Sequence, residues 1–241
     1  MRALAVLALT SICNLTAQPA VRPLSQSEFR DLAKQCLPDA PLSTLRAIAR
    51  VESAYNPLAI SINYPDRTSA VLALDEGSVE LTRQPATVRE AIQWTKWFYA
   101  RGLSVSIGLM QINTEHLPAL GLSLEQAFDP CVNLRVGWTI LNDKYRAAAA
   151  VLGKGQLALH AAISAYNSGS PTKGFNNGYV EKVLAAKPTV SLIPLFAGQS
   201  IVPPALVPPR EDIQNVPLER EPPPEDPNSA LTRVIWSTKA K

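Results

Sequence analysis

The stretch Leu42-Ser43-Thr44-Leu45-Arg46-Ala47-Ile48-Ala49-Arg50-Val51-Glu52-Ser53 carries the reading of the whole chain. At about 100° per residue, Leu42, Leu45, Ile48 and Ala49 fall on one stripe, which predicts an amphipathic helix from just after Pro41 to about Ser53. Ser43, Arg46, Arg50 and Ser53 lie beside that stripe or beyond it. Glu52 lies inside it, at i+7 from Leu45, i+4 from Ile48 and i+3 from Ala49. A carboxylate on an apolar face points into the interior or into a cleft. Desolvation there disfavours the charged form and raises the pKa, which suits a general acid near neutral pH. The same position also fits a structural glutamate paired with a buried arginine or a helix N-terminus. The helix alone leaves both readings open.

Outward from this helix, helix signals recur and strand signals are few. Ser25-x-x-Glu28 is a capping box opening a helix towards Cys36. Thr87-x-x-Glu90 is another, and Gly102 closes that helix after Arg101. Asp129-Pro130 supplies an N-cap and an N1 proline for a helix from Cys131 to about Leu152. Further helices are predicted from Gln156 to Tyr166 and from Asn177 to Ala186. Residues 60–80 read as irregular, with a short hairpin around Glu76-Gly77. The fold class is mainly α, with no internal repeat.

Composition divides the chain. Of its 241 residues 46% are hydrophobic, enough for one core, and a net charge of +3 makes no case for nucleic-acid binding. The 21 prolines split into 10 in residues 1–187 and 11 in residues 188–227. A globular module at residues 25–187 is therefore followed by a tail, residues 188–241, with Val202-Pro203-Pro204, Val207-Pro208-Pro209 and Glu221-Pro222-Pro223-Pro224-Glu225. Proline at this density denies the backbone its ladder and helix hydrogen bonds, so the tail is expected to be disordered, a spacer or a ligand for another protein. Its last apolar stretch, from Leu231 to Trp236, reads as a short docking segment.

At the other end, Arg2, an apolar run over residues 3–12 and the small-residue stretch Asn14-Leu15-Thr16-Ala17 form a secretory signal peptide, residues 1–17, cleaved after Ala17. About ten apolar residues do not span a bilayer, which needs about 20. The expectation is a periplasmic protein with no membrane span after cleavage. Cleavage discards Cys13 and leaves Cys36 and Cys131, which in an exported chain form one disulfide or stay as two buried thiols. His116 and His160 stand near no cysteine or carboxylate pair at ligand spacing, so neither a metal nor another cofactor is expected.

Four motifs occur in a fixed order. Glu52-Ser53 is followed by Asn56-Pro57, then by Ser106-Ile107-Gly108-Leu109-Met110-Gln111-Ile112-Asn113. Asp129-Pro130-x-x-Asn133-x-x-x-Gly137-x-x-x-Leu141 and Ala165-Tyr166-Asn167-Ser168-Gly169 come next. Over about residues 25–187 this set resembles the soluble lytic transglycosylase (SLT) catalytic domain of the lysozyme-like superfamily. Within it, the chain is similar to the exported transglycosylases of type IV secretion and conjugation systems, the VirB1-like group. The resemblance implies a lysozyme-like single catalytic domain acting on peptidoglycan glycan strands, with secretion-system subunits as partners.

It also implies roles. Glu52 matches the family's single catalytic acid/base for the β-1,4 bond between N-acetylmuramic acid and N-acetylglucosamine, closing a 1,6-anhydro ring without water as nucleophile. Gly108, Met110 and Gln111 belong to the loop lining the cleft, Tyr166 and Asn167 to a substrate-facing pair with Tyr166 bonding near Glu52, and Ser61 to an N-acetyl contact. Asp129, Asn133, Gly137 and Leu141 read as capping and packing. The chain departs from the commonest pattern by about 40 residues between the Asn-Pro and Gly-Leu-Met-Gln motifs, Ile62 to Val105. That segment supplies Asp66, Asp75, Glu76 and Glu80 as candidate second acids. Its aromatic residues Trp94, Trp97, Phe98 and Tyr99 are expected to pack in the core instead of stacking on sugars. Two other functions stay open at this point: a hydrolytic muramidase, and an assembly factor that recruits secretion subunits through its tail.

Overall fold

Side chains at the predicted caps start the helices. Ser25 and Glu28 close their capping box reciprocally at the start of α1 (Gln26–Cys36), and Pro41 precedes α2 (Leu42–Ser53). Thr87 caps α3 (Val88–Tyr99) through the N–H of Glu90 (3.1 Å), while the Glu90 carboxylate reaches back to the N–H of Ala86 (2.7 Å). Asp129 accepts from the N–H of Val132 (2.9 Å), ahead of the long helix α6 (Pro130–Leu152). This is a computed structural model, and it describes residues 20–63, 78–81, 83–186 and 231–234. The signal-peptide reading of residues 1–17, residues 64–77 with Asp66, Asp75 and Glu76, and the Pro-rich stretch 187–230 lie outside the described residues.

The remaining elements follow in chain order: β1 (Ile60–Asn63), β2 (Ser78–Leu81), β3 (Ser104–Ile107) and β4 (Ile112–Asn113). A 3-10 turn (Thr114–His116) and two single-turn helices, α4 (Leu117–Leu120) and α5 (Leu124–Ala127), lead to α6, and α7 (Gln156–Ser168), α8 (Lys173–Asn176), α9 (Tyr179–Ala185) and β5 (Leu231–Val234) follow. The fold is mainly helical. α4 and α5 are too short for periodicity to reveal. The helix predicted over residues 177–186 starts later, at Tyr179, because Gly178 is left-handed (φ +75°) and the Asn177 side chain accepts from the N–H of Tyr179 (3.0 Å).

β1, β3 and β4 form an antiparallel sheet in the order β1-β3-β4, with Ser61 opposite Ser106 and Ile107 opposite Ile112. Asn63 faces Ser104, so the insertion leaves and re-enters the sheet at one matched pair of residues. β2 runs antiparallel to β5, with Ser78 opposite Val234 and Leu81 opposite Leu231. The apolar end of the tail thus docks on its own domain, 150 positions away in sequence.

One apolar core joins these parts. α6 and α7 pack together and contribute Leu134, Leu141 and Tyr145, and Leu159, Ala162 and Ile163. α2 adds Leu45, Ile48 and Ala49, and the insertion adds Trp94 and Phe98, all fully buried or nearly so. Each large side chain so buried contributes about 1.5–3 kcal/mol. Of the aromatic cluster, only Tyr99 is largely exposed. Trp97 instead meets the Arg101 guanidinium 3.5 Å from its ring centroid.

Cys36, the last residue of α1, forms a disulfide with Cys131 in the first turn of α6, with Cα atoms 5.3 Å apart and 95 positions between them in sequence. Closing a loop of that length removes unfolded-state entropy. Replacing both cysteines by serine lowers the unfolding free energy by about 2–5 kcal/mol. Urea denaturation with and without dithiothreitol checks this, and an unchanged midpoint on reduction contradicts it.

Candidate active site

The loop Gly108-Leu109-Met110-Gln111 has little choice of conformation. Asn133, 1% exposed inside α6, donates through its Nδ2 to the carbonyls of Ile107 (3.0 Å) and Ala127 (2.9 Å). Its Oδ1 accepts from the N–H of Met110 (2.7 Å). Gly108 is left-handed (φ +78°), and a Cβ there would lie 2.3 Å from Asn133 Nδ2, so only glycine fits. A Cβ on Gly137 would lie 2.5 Å from Met110 Cβ, which lets Met110 pack flat on α6. Ser53, at the end of α2, donates to the Leu109 carbonyl (2.9 Å), and the Tyr166 hydroxyl donates to that of Met110 (2.6 Å). Three helices hold this loop.

Glu52 lies in the last turn of α2, part-buried, where the apolar stripe placed it. Its Oε1 accepts a short hydrogen bond from the Tyr179 hydroxyl at the start of α9. Burial pushes the Glu52 carboxyl up to about 7, against the Tyr179 bond, which favours the charged form. Burial, with Glu52 beside it, pushes the Tyr179 phenol far above its ordinary range, so it is a donor at any working pH. Because Tyr179 occupies Oε1, the proton of the neutral acid resides on Oε2. The arrangement is a carboxyl that is both acid and base near neutrality.

The other predicted residues divide by place. Tyr166 is held to Met110, and the phenol that bonds Glu52 is that of Tyr179, which sequence reasoning missed. Met110 is fully buried, so its side chain supports the loop and does not face a ligand. Gln111, left-handed at φ +49°, spends its Nε2 on the carbonyls of Ala59 (3.2 Å) and Gly108 (3.0 Å), and its Oε1 is buried with no partner. Asn167 accepts from Asn177 Nδ2 (3.0 Å), bracing the turn that presents Tyr179. Ser61 is exposed on β1 opposite Ser106, and Glu80 lies on β2. The only sequence signal for Tyr179 was its place at a helix start behind Asn177-Gly178. Among the described residues no group of three or more His, Cys, Asp or Glu is placed to hold a metal ion, and no helix is long and apolar enough to cross a membrane.

Two outcomes follow from this geometry. Asn133→Leu keeps the branching at Cγ but orphans two carbonyls and an N–H. It costs about 3 kcal/mol or more of stability, at roughly 1–3 kcal/mol per unmade bond, measured by denaturant unfolding. Glu52 holds its proton more tightly folded than unfolded, so its contribution to stability is full below pH 4.5 and is lost as pH rises towards 7. The stability difference between Glu52→Gln and wild type therefore grows, in favour of the variant, by about 3 kcal/mol between pH 4 and pH 8. A flat difference across that window excludes a raised Glu52 pKa.

The Transglycosylase SLT domain family model matches residues 32–187. The chain is 35% identical over 233 residues to Protein virB1 of Agrobacterium fabrum, covering 97% of this chain and 79% of that protein. It is 39% identical over 164 residues to the Type IV secretion system protein virB1 of Brucella abortus, covering 66% of this chain and 63% of that protein. It is 33% identical over 213 residues to Protein virB1 of Rhizobium radiobacter, covering 86% and 75%. No solved structure matches. The family match takes in Glu52, the loop fixed by Asn133, and Tyr179 together, and the chain belongs to the SLT transglycosylase family, in its VirB1 group.

Proposed function

We propose that this protein is a periplasmic lytic transglycosylase that cleaves the β-1,4 bond between N-acetylmuramic acid and N-acetylglucosamine in peptidoglycan. The observation that carries the reading is the buried carboxyl of Glu52, poised at about 7 with Tyr179 on one oxygen. At that pKa both protonation states are populated near neutrality, which an acid that must later act as a base requires.

The steps balance on this one group. Neutral Glu52 gives the proton on Oε2 to the glycosidic oxygen as the bond from C1 of the muramoyl residue breaks. The oxocarbenium-like charge at C1 is then met by the muramoyl C6 oxygen. Glu52, now a carboxylate, takes the C6 hydroxyl proton as the C1–O6 bond closes the 1,6-anhydro ring, and the acid is regenerated. Tyr179 donates to Oε1 throughout, most strongly in the carboxylate state. An intramolecular hydroxyl replaces the water and the second carboxylate of the usual two-acid glycosidases. Gly108 and Gln111 shape the wall of the cleft, with Asn167 bracing Tyr179 and Ser61 reaching the sugar from β1.

The name of the Brucella abortus relative places that protein in type IV secretion, and the same setting is proposed here: export by residues 1–17, cleavage of wall strands by residues 25–187, and a tail, residues 188–241, that meets apparatus subunits. Digesting purified peptidoglycan with the wild type yields 1,6-anhydromuramoyl ends by mass spectrometry. Glu52→Gln lowers turnover at least about 1,000-fold while remaining folded. Reducing ends in place of anhydro ends identify a hydrolytic muramidase and overturn the ring-closing step. Full activity in Glu52→Gln removes Glu52 from its role.

A further inference from the structure

The side of α2 away from Glu52 carries a second polar cluster that the cleft chemistry does not use. Arg46 and Arg50 are one turn apart on that helix, and Arg50 points about 200° around the axis from Glu52. Past the helix end, Ala54 and Tyr55 are both left-handed (φ +49° and +64°), and the chain folds back so that the N–H of Tyr55 bonds the Ala49 carbonyl (3.3 Å). This packs the Tyr55 ring on Phe29 of α1, with centroids 4.9 Å apart, and leaves Tyr55 6% exposed. The Tyr55 hydroxyl is buried with no hydrogen-bond partner, and so is Arg46 Nε. Burial pushes the Tyr55 phenol up, while Arg46 and Arg50 pull it back, so both guanidinium charges bear on the hydroxyl.

What the cluster lacks is an acceptor. An arginine Nε–H only donates, and a buried donor is costly to leave unmade. The nearby carboxylates of α1 are engaged: Glu28 pairs with Arg22 (2.6 Å) and Asp31 with Arg30 (3.2 Å). Among the described residues, Arg46 and Arg50 form no ion pair. A carboxylate has acceptor sites only, and its two oxygens match a guanidinium fork with one lone pair left for the phenol.

We propose that Arg46, Arg50 and Tyr55 form a carboxylate-binding site opposite the cleft, and that its occupant is an acidic side chain from residues 211–226 of the same chain. That segment holds Glu211, Asp212, Glu219, Glu221, Glu225 and Asp226 against one basic residue, Arg220. It is tethered on both sides, at the end of α9, which packs against α2, and through β5, which pairs with β2. Tethering raises the local concentration of its carboxylates to about the millimolar range, so a weak site is filled. The prolines within the segment lower the entropy lost on docking.

The test follows the Arg46 Nε–Hε resonance by NMR in the full chain. In the wild type this proton is bonded and exchanges slowly. Changing the six acids to their amides shifts the resonance and speeds exchange. Adding a synthetic peptide of residues 210–227 to that variant restores both. Tyr55→Phe and Arg50→Gln each weaken peptide binding, Arg50→Gln by about tenfold or more, as loss of a charge-assisted bond requires. Arg46→Lys keeps the charge and loses the fork, and its binding falls in the same way; thermal melting confirms that each variant is folded. A resonance indifferent to the six amide changes overturns the proposal. So does a resonance that responds to a soluble muropeptide bearing stem carboxylates and not to the tail peptide, because the occupant is then the wall.

Discussion

The buried side chain of Asn133 is the constraint on which the cleft depends. An amide sealed inside a helix must satisfy both of its ends, and here it does so on the Ile107 and Ala127 carbonyls and the Met110 N–H. The bonds to Ile107 and Met110 pin the chain on both sides of Gly108 to α6, and the third ties the end of α5 to the same helix. The glycine follows from the amide, since any Cβ at residue 108 would occupy the space of Asn133. Gly137, one turn on, allows Met110 to lie flat against the same helix. Ser53 then bonds the Leu109 carbonyl, and by that contact the end of α2, with Glu52 next to Ser53, is held against the loop.

Glu52 itself shows two physical terms set against each other. Burial raises its pKa, and a hydrogen bond from Tyr179 lowers it; burial wins, and the result lies near 7. A carboxyl without Tyr179 would hold its proton more tightly and be a poorer acid, and one in open water would be ionised and equally useless as an acid. The folded state gives up stability above pH 4.5 to keep this poise, as sites built for chemistry often do.

The insertion between β1 and β3 leaves and re-enters the sheet at one place, because Asn63 and Ser104 face each other across it. A long excursion whose ends are already paired adds little closure cost at the sheet itself. Trp94 and Phe98 enter the common core, so the excursion is anchored, and its strand β2 offers an edge that β5 takes. A four-residue ladder is marginal alone, and it gains from the core to which the insertion is fixed.

Much of this was legible in the sequence for a local reason. Capping boxes, an N1 proline and a 3.6-residue period act over a few positions, so Ser25, Thr87, Asp129 and the stripe of α2 announced their helices. The stripe also announced that Glu52 faces inward, and four motifs in order carried the family. What faces Glu52 could not be read, because Tyr179 lies 127 positions away and its approach is set by how α9 packs against α2 and α7. The same holds for Met110, which the motif offered as a cleft residue and Gly137 turned into a core residue. The Cys36–Cys131 pairing became definite only when α1 met α6, and the docking place of residues 231–234 only when β2 offered an edge. Short-range chemistry wrote the helices and the buried acid into the sequence, and only long-range packing chose the acid's partner.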